Sequence, residues 1–201
     1  MSVPPLVIIC GVRQTGKTTL TKNLTNQAGR VMVYDSAMQF QDPRDNFTSV
    51  YQSPSSLKAN ISKDGSFRVA YVPKDKRADI DYFCQLAEWA GDVTVIFDDC
   101  GAYCSPNMLP DGIEDLVRYS GHKNISLVLS THLPKDFNDY VFSQASNIFC
   151  FHNESELALK KIRENTGDAV SLERLKTLPL FTALHYSRAT WRWEFVDNRH
   201  I

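Results

Sequence analysis

Short apolar runs punctuate this chain, and between them apolar residues tend to return every three or four positions. The runs are Leu6–Cys10, Val31–Tyr34, Phe67–Tyr71, Val93–Phe97, Ile125–Ser130 and Ile148–Phe151, several apolar enough to be strands buried on both sides. Between them, Ile80, Phe83, Cys84 and Ala87 keep the spacing of one helix face, and Ile113, Leu116 and Val117 do so in part. Ser155 is placed to cap a helix that runs toward Thr166, where Gly167 stops it. Strands alternating with helices predict an α/β fold, a mostly parallel sheet with helices on both faces. The end of the chain differs. Thr182–Tyr186 and Trp191–Phe195 flank Ser187-Arg188-Ala189-Thr190, and Trp191, Trp193 and Phe195 alternate with Arg192 and Glu194, which predicts an antiparallel hairpin at the sheet edge. Residues 36–66 carry the weakest signal and read as loop with one short helix near Ser53-Pro54, where proline suits a first turn.

Composition narrows the class. With 201 residues, 43% of them hydrophobic and 22% charged, the chain builds one sizeable core, expected as a single domain over residues 1–201 with its centre in 5–152 and terminal helices and hairpin in 153–201. No apolar run approaches the roughly 20 residues of a membrane-spanning helix. Met1–Pro5 lacks the charged and apolar regions of a signal peptide, so a soluble, cytoplasmic protein without membrane insertion is expected. The five cysteines are odd in number and mostly fall inside predicted elements, as reduced thiols do. Cys100-x-x-x-Cys104 has no second pair at zinc-finger spacing. A net charge of −1 excludes a globally basic nucleic-acid binder while leaving room for a local basic ring.

The chemistry begins at Gly11-Val12-Arg13-Gln14-Thr15-Gly16-Lys17-Thr18, a match to G-x-x-x-x-G-K-[ST] that follows an apolar strand directly. Such a loop turns successive backbone N–H groups onto phosphate oxygens, and the helix after it adds its positive end. Gly11, Gln14, Thr15, Gly16, Lys17, Thr18 and Thr19 are therefore expected to hold ATP, with Lys17 on the β- and γ-phosphates and the Thr18 hydroxyl on Mg²⁺. A plain glycine turn between buried elements is the structural alternative. The second anchor is Val93-Thr94-Val95-Ile96-Phe97-Asp98-Asp99, an apolar strand that ends in two acids. A carboxylate at that position suits the Mg²⁺ shell, the role expected of Asp98, and Asp99 is then placed to orient or deprotonate the attacking water. A strand-end turn or cap is the plainer reading of the pair.

A third element, Ile125–Ser130 followed by Thr131-His132-Leu133-Pro134, is preceded by Arg118-Tyr119-Ser120-Gly121-His122. Together with the first two anchors and Asp35 at the end of the second strand, this order resembles the FtsK–HerA superfamily of DNA-pumping ATPases, which includes the packaging ATPases of tailless, membrane-containing icosahedral viruses. The resemblance spans the phosphate loop to about His152 and implies a P-loop NTPase fold of the RecA type. It makes Thr131 and Pro134 a sensor segment and Arg118 an arginine finger that enters the neighbouring subunit's site in a homo-oligomeric ring. It also implies an ATPase coupled to translocation of DNA, double-stranded and read without sequence specificity, acting in the host cytoplasm and on the virion with portal or capsid vertex proteins as partners. His132 stands where the family usually has Gln, and Leu133 where many members have Arg. A neutral imidazole still hydrogen-bonds a phosphate or water but titrates in the physiological range. His132 packed at a strand end, and Arg118 solvated on a helix, are the structural alternatives.

Polynucleotide contacts have weaker candidates: Lys74-Asp75-Lys76-Arg77, Lys135 and the loop Gly101–Pro110. Lys160-Lys161-Ile162-Arg163 reads as an exposed helix face. Two other functions compete. A nucleoside or nucleotide kinase needs an arginine-rich lid that the chain lacks between its acids and last strands, and assembly factors resembling zonula occludens toxin usually continue into a membrane helix.

Overall fold

The computed structural model describes residues 6–167 and 171–199. Met1–Pro5, and with them the first residue of the expected core, lie outside that range. The strands are β1 (Leu6–Cys10), β2 (Arg30–Asp35), β3 (Thr48–Tyr51), β4 (Phe67–Val72), β5 (Thr94–Asp98), β6 (Ser126–Thr131), β7 (Asn147–Cys150), β8 (Thr182–Ser187) and β9 (Arg192–Asp197). The helices are α1 (Lys17–Thr25), α2 (Pro54–Ala59), α3 (Ile80–Ala90), α4 (Asp111–Tyr119), α5 (Asp139–Gln144) and α6 (Glu156–Thr166).

All the strands join one sheet in the order β3-β4-β2-β5-β6-β1-β7-β8-β9. β3 through β7 in that order are parallel, and β8 and β9 add the expected antiparallel hairpin. Because successive side chains point to opposite faces, β1 sends Leu6, Ile8 and Cys10 to one core and Val7 and Ile9 to the other. Both faces of the sheet are buried against apolar side chains, which explains why these strands read as unbroken apolar runs. The helix layers are unequal. Leu57, Phe83, Ile113, Phe142 and Leu159, from α2 through α6, fill the first core, whereas α1 contributes Leu20 to the second beside Phe40, Phe149 and Phe151.

Local signals held where they had a mechanism. The Ser53 and Ser155 hydroxyls accept from Ser56 N–H and Ala158 N–H at the starts of α2 and α6, and Gly167 ends α6 at φ 75°. All five cysteines are free and buried. Two expectations need correcting. Residues 36–66 hold an edge strand, β3, as well as the short helix; only Val50 of that strand is buried, so it carries no alternation to read. Lys161 does not join an exposed face with Lys160 and Arg163, because it is buried, donates to the Phe137 carbonyl at 3.1 Å and pairs with Asp139. At the hairpin itself Trp193 packs on Tyr186, whereas Trp191, in the turn before β9, and Phe195 on the edge strand are exposed.

Candidate functional site

A crevice forms where parallel strands end and their chain order reverses, which in an open α/β sheet is where ligands bind. Here β1 lies between β6 and β7, and a cavity of about 650 Å³ opens above its carboxyl end. Arg13, Gln14, Gly16, Lys17, Thr18 and Thr19 form one wall; Asp98, Asp99, Ser130, His132 and Lys76 form another.

The loop after β1 needs its glycines. Gly11 has φ +147°, and a Cβ there would stand 2.6 Å from Phe151 Cβ; Gly16 has φ +107°, and a Cβ there would stand 2.9 Å from the Phe181 ring. Gln14 also takes positive φ, at 62°. The loop is braced by Thr15 Oγ1 and Lys17 Nζ, each donating to the Val12 carbonyl at 2.8 Å. α1 then starts at Lys17 with no side-chain cap and no acid in its first turn, so its first N–H groups and the positive end of its dipole face the cavity uncompensated. Burial pushes the Lys17 ammonium down to about 8, opposed by Cys10, Asp98 and Asp99. At neutral pH it stays charged, and its bond to a loop carbonyl is one that an anion could displace.

Opposite stand the acids. Asp98 is 4% exposed, and burial pushes its carboxyl up to about 6; the hydrogen bond from Ser130 opposes this, while the neighbouring Asp35 and Asp99 add to it. Ser130 Oγ donates to Asp98 Oδ1 at 2.7 Å and accepts from Asp99 N–H at 3.0 Å, tying the ends of β5 and β6 together. Asp99 leaves the strand in the left-handed conformation, φ 49° and ψ 45°, which turns its side chain away from Asp98's course. Its carboxylate lies 3.5 Å from His132 Nε2 and 3.8 Å from Lys76 Nζ. Lowered by burial first and by Lys17 second, with Asp99 opposing, the His132 imidazole is held below 6.5. That shift is away from the titration near neutrality expected of a free imidazole and favours the uncharged ring.

The remaining expected residues distribute as follows. Thr131 is buried at the end of β6 and Pro134 opens a short turn after it. Arg118 ends α4 outside this cavity, pairing with Glu114 Oε1 at 2.6 Å and lying 5.9 Å from the centres of the Tyr119 and Tyr140 rings. These partners hold its guanidinium above its usual range. Lys76, grouped by sequence with polynucleotide contacts, instead lines the nucleotide-sized cavity. Asp35 is fully buried and accepts from Gln39 N–H, Phe40 N–H and Gln41 Nε2, which folds the loop after β2 so that Ala37 and Gln39 reach the same cavity.

Sequence reasoning missed Ser130, Phe181 and Asn198. Ser130 sits inside an apolar strand, and only its place beside Thr131 at the strand end distinguishes it. Phe181 N–H donates to the Thr15 carbonyl at 3.0 Å, and buried Asn198 donates from Nδ2 to the Gly16 carbonyl at 3.1 Å. Neither contact has a signature in sequence, because both cross more than a hundred and fifty residues of chain.

No protein-family model matches the chain, and no curated protein matches it in sequence. Among solved structures, the genome packaging NTPase B204 of Sulfolobus turreted icosahedral virus 2, in complex with ATP-gammaS, is similar with a TM-score of 0.80 and 19% identity over 97% of this chain and 98% of that one. VirB4 of Thermoanaerobacter pseudethanolicus is similar with a TM-score of 0.69 and 9% identity, covering 96% of this chain and 88% of that one. The N-terminal domain of zonular occludens toxin from Neisseria meningitidis follows at 0.54 and 10%, over 92% and 85%. At these identities the likeness is one of fold. It bears out the expected P-loop NTPase architecture.

Proposed function

We propose that this chain is an ATP-hydrolysing DNA translocase, the motor that packages a viral genome. The observation that carries the reading is the pairing of a glycine-rich loop and uncapped helix start with a two-carboxylate strand end across one cavity. Support for the packaging role comes from the fold shared over nearly the whole length with a packaging NTPase.

The donor set fits Mg²⁺. No cluster of three or more His, Cys, Asp or Glu side chains that would cage a metal occurs among the described residues, and Mg²⁺ is usually held by one or two protein oxygens with phosphates and waters. Thr18 and Asp98 are those oxygens here, and the raised Asp98 carboxyl, crowded by Asp35 and Asp99, is a group that a cation would relieve. Bound, the ion neutralises charge on the transferring phosphate. Lys17 binds the β- and γ-phosphates after leaving the Val12 carbonyl, and the loop amides with Gln14, Thr15, Gly16 and Thr19 complete the cradle. Asp99, with His132 and Lys76 beside it, orients the attacking water and takes its proton. Neutral His132 offers a hydrogen bond to that water or to the leaving phosphate.

Arg118 lies outside its own subunit's cavity, which suits a finger acting in trans on the next subunit of a homo-oligomeric ring. Double-stranded DNA passes through the ring by phosphate contacts without sequence readout, and portal or capsid vertex proteins dock the motor.

Release of phosphate from ATP, followed with and without double-stranded DNA, tests the reading. DNA should raise the rate. Transfer of the phosphate to a nucleoside instead would favour a kinase, and hydrolysis indifferent to DNA would count against a translocase.

A further inference from the structure

One large aromatic at the cavity is spent on no core. Phe181 is 38% exposed, takes φ 62° where bulky residues rarely sit, and lines the cavity beside the phosphate loop. Its backbone is clamped on both sides, N–H to the Thr15 carbonyl at 3.0 Å and carbonyl from Asn198 N–H at 2.8 Å. Its ring is close enough to Gly16 to exclude a Cβ there. A strained and rigidly held aromatic that leaves more than a third of its surface open is arranged to present that surface.

Sheet order says to what. The acids that would face the terminal phosphate stand on β5, two strands from β1 on one side, whereas β8, which Phe181 precedes, lies two strands from β1 on the other. β8 runs antiparallel to β7, so its beginning and the end of β9 come to the same edge as the phosphate loop. A triphosphate whose γ end points at Asp98 and Asp99 therefore extends its nucleoside end toward Phe181. Arg13, Gln14 and Thr19 are also part of the cavity wall.

We propose that Phe181 is the platform on which the base of the bound nucleoside triphosphate stacks, so that the turn into β8 holds the nucleoside while β1, β5 and β6 hold the phosphates. The proposal rests on reading the glycine-rich loop as a triphosphate site. Every base has a π-face, so a platform of this kind adds affinity for a nucleotide over its bare phosphates without selecting the base.

The test compares ATP, which carries a base, with inorganic tripolyphosphate, which does not, by calorimetry on the full chain. Phe181→Leu keeps an apolar contact with Gly16 but removes the ring. ATP binding should weaken about 5- to 100-fold, tripolyphosphate binding should hold, and Phe181→Tyr should bind ATP as the unaltered protein does. Equal weakening for both ligands would make Phe181 a brace of the loop and overturn the proposal, as would unchanged ATP binding. A measurement without substitution guards against a variant that fails to fold: ATP should bind more tightly than ribose triphosphate lacking a base, and equal binding would overturn the platform alone. If the unaltered protein binds neither ATP nor tripolyphosphate, the phosphate-loop reading falls and the platform with it.

Discussion

Asp98 shows most clearly how a single residue trades stability for chemistry. Its carboxyl rises from 3.8 to about 6 on folding, chiefly through burial, so between those values the folded protein binds more protons than the unfolded chain. Stability therefore falls as pH rises through that window, and the full penalty stands above pH 6. Asp98→Asn keeps an oxygen for the Ser130 hydroxyl and removes the buried charge. It should raise the stability of the nucleotide-free protein at pH 7.5 by on the order of 2 kcal/mol, a gain that shrinks as the pH approaches 4, while Mg²⁺-dependent hydrolysis is lost. Denaturant melts at the two pH values check this, and a destabilised variant at pH 7.5 would contradict it. Lys17 is a parallel case. Its burial makes the fold tolerant of its loss, so Lys17→Ala should melt within about 1 kcal/mol of the unaltered protein yet hydrolyse no ATP. For His132 the pH argument runs the other way. With its protonation pushed to lower pH, His132 should add only to the acidic limb that Asp98 also shapes, and His132→Gln should keep the rate near neutrality while making that limb shallower without abolishing it. A pH–rate profile of both proteins is the check.

At the scale of elements, what was legible in the chain was what has a local mechanism. The phosphate loop, the paired acids and the six parallel strands that carry apolar runs declare themselves because a doubly buried strand tolerates few polar residues and a phosphate loop requires its glycines. β3 escaped because an edge strand with one buried residue has no pattern to show, and α5 because Asn138 caps only six residues, with Val141 and Phe142 turned into the core side by side. The contribution of the terminal hairpin to the site was illegible for a different reason: its hydrogen bonds to the phosphate loop come from the sheet order, which brings β8 and β9 to an edge that their sequence distance conceals. Asn198 is the residue that makes this connection, donating to the Gly16 carbonyl and accepting from Asn23 Nδ2 at 2.9 Å. Asn198→Ala should cost about 1 kcal/mol in a denaturant melt and weaken nucleotide binding, because half-buried partners on the loop and on α1 lose their hydrogen bonds. Unchanged nucleotide affinity would separate the hairpin from the site.

For the whole molecule, the fold was legible from the order of motifs, but assembly is not written in one chain. Arg118 illustrates the gap: its partners within the subunit are Glu114 and two tyrosine rings on the surface, outside the cavity. If it acts in trans, Arg118→Ala should bind ATP normally and hydrolyse it about 10³-fold or more slowly, and exchanging that variant into mixed oligomers with Lys17→Ala protein should restore part of the rate, since some sites then combine an intact loop with an intact arginine. No recovery despite subunit exchange would make Arg118 a solvated helix residue. The central claim, that hydrolysis at this cavity moves the protein along DNA, is tested most directly by displacement of a triplex-forming oligonucleotide from double-stranded DNA. ATP should drive displacement by the unaltered protein, and neither Lys17→Ala nor Asp98→Asn should support it. Hydrolysis that proceeds on that DNA while every triplex stays in place would contradict the account.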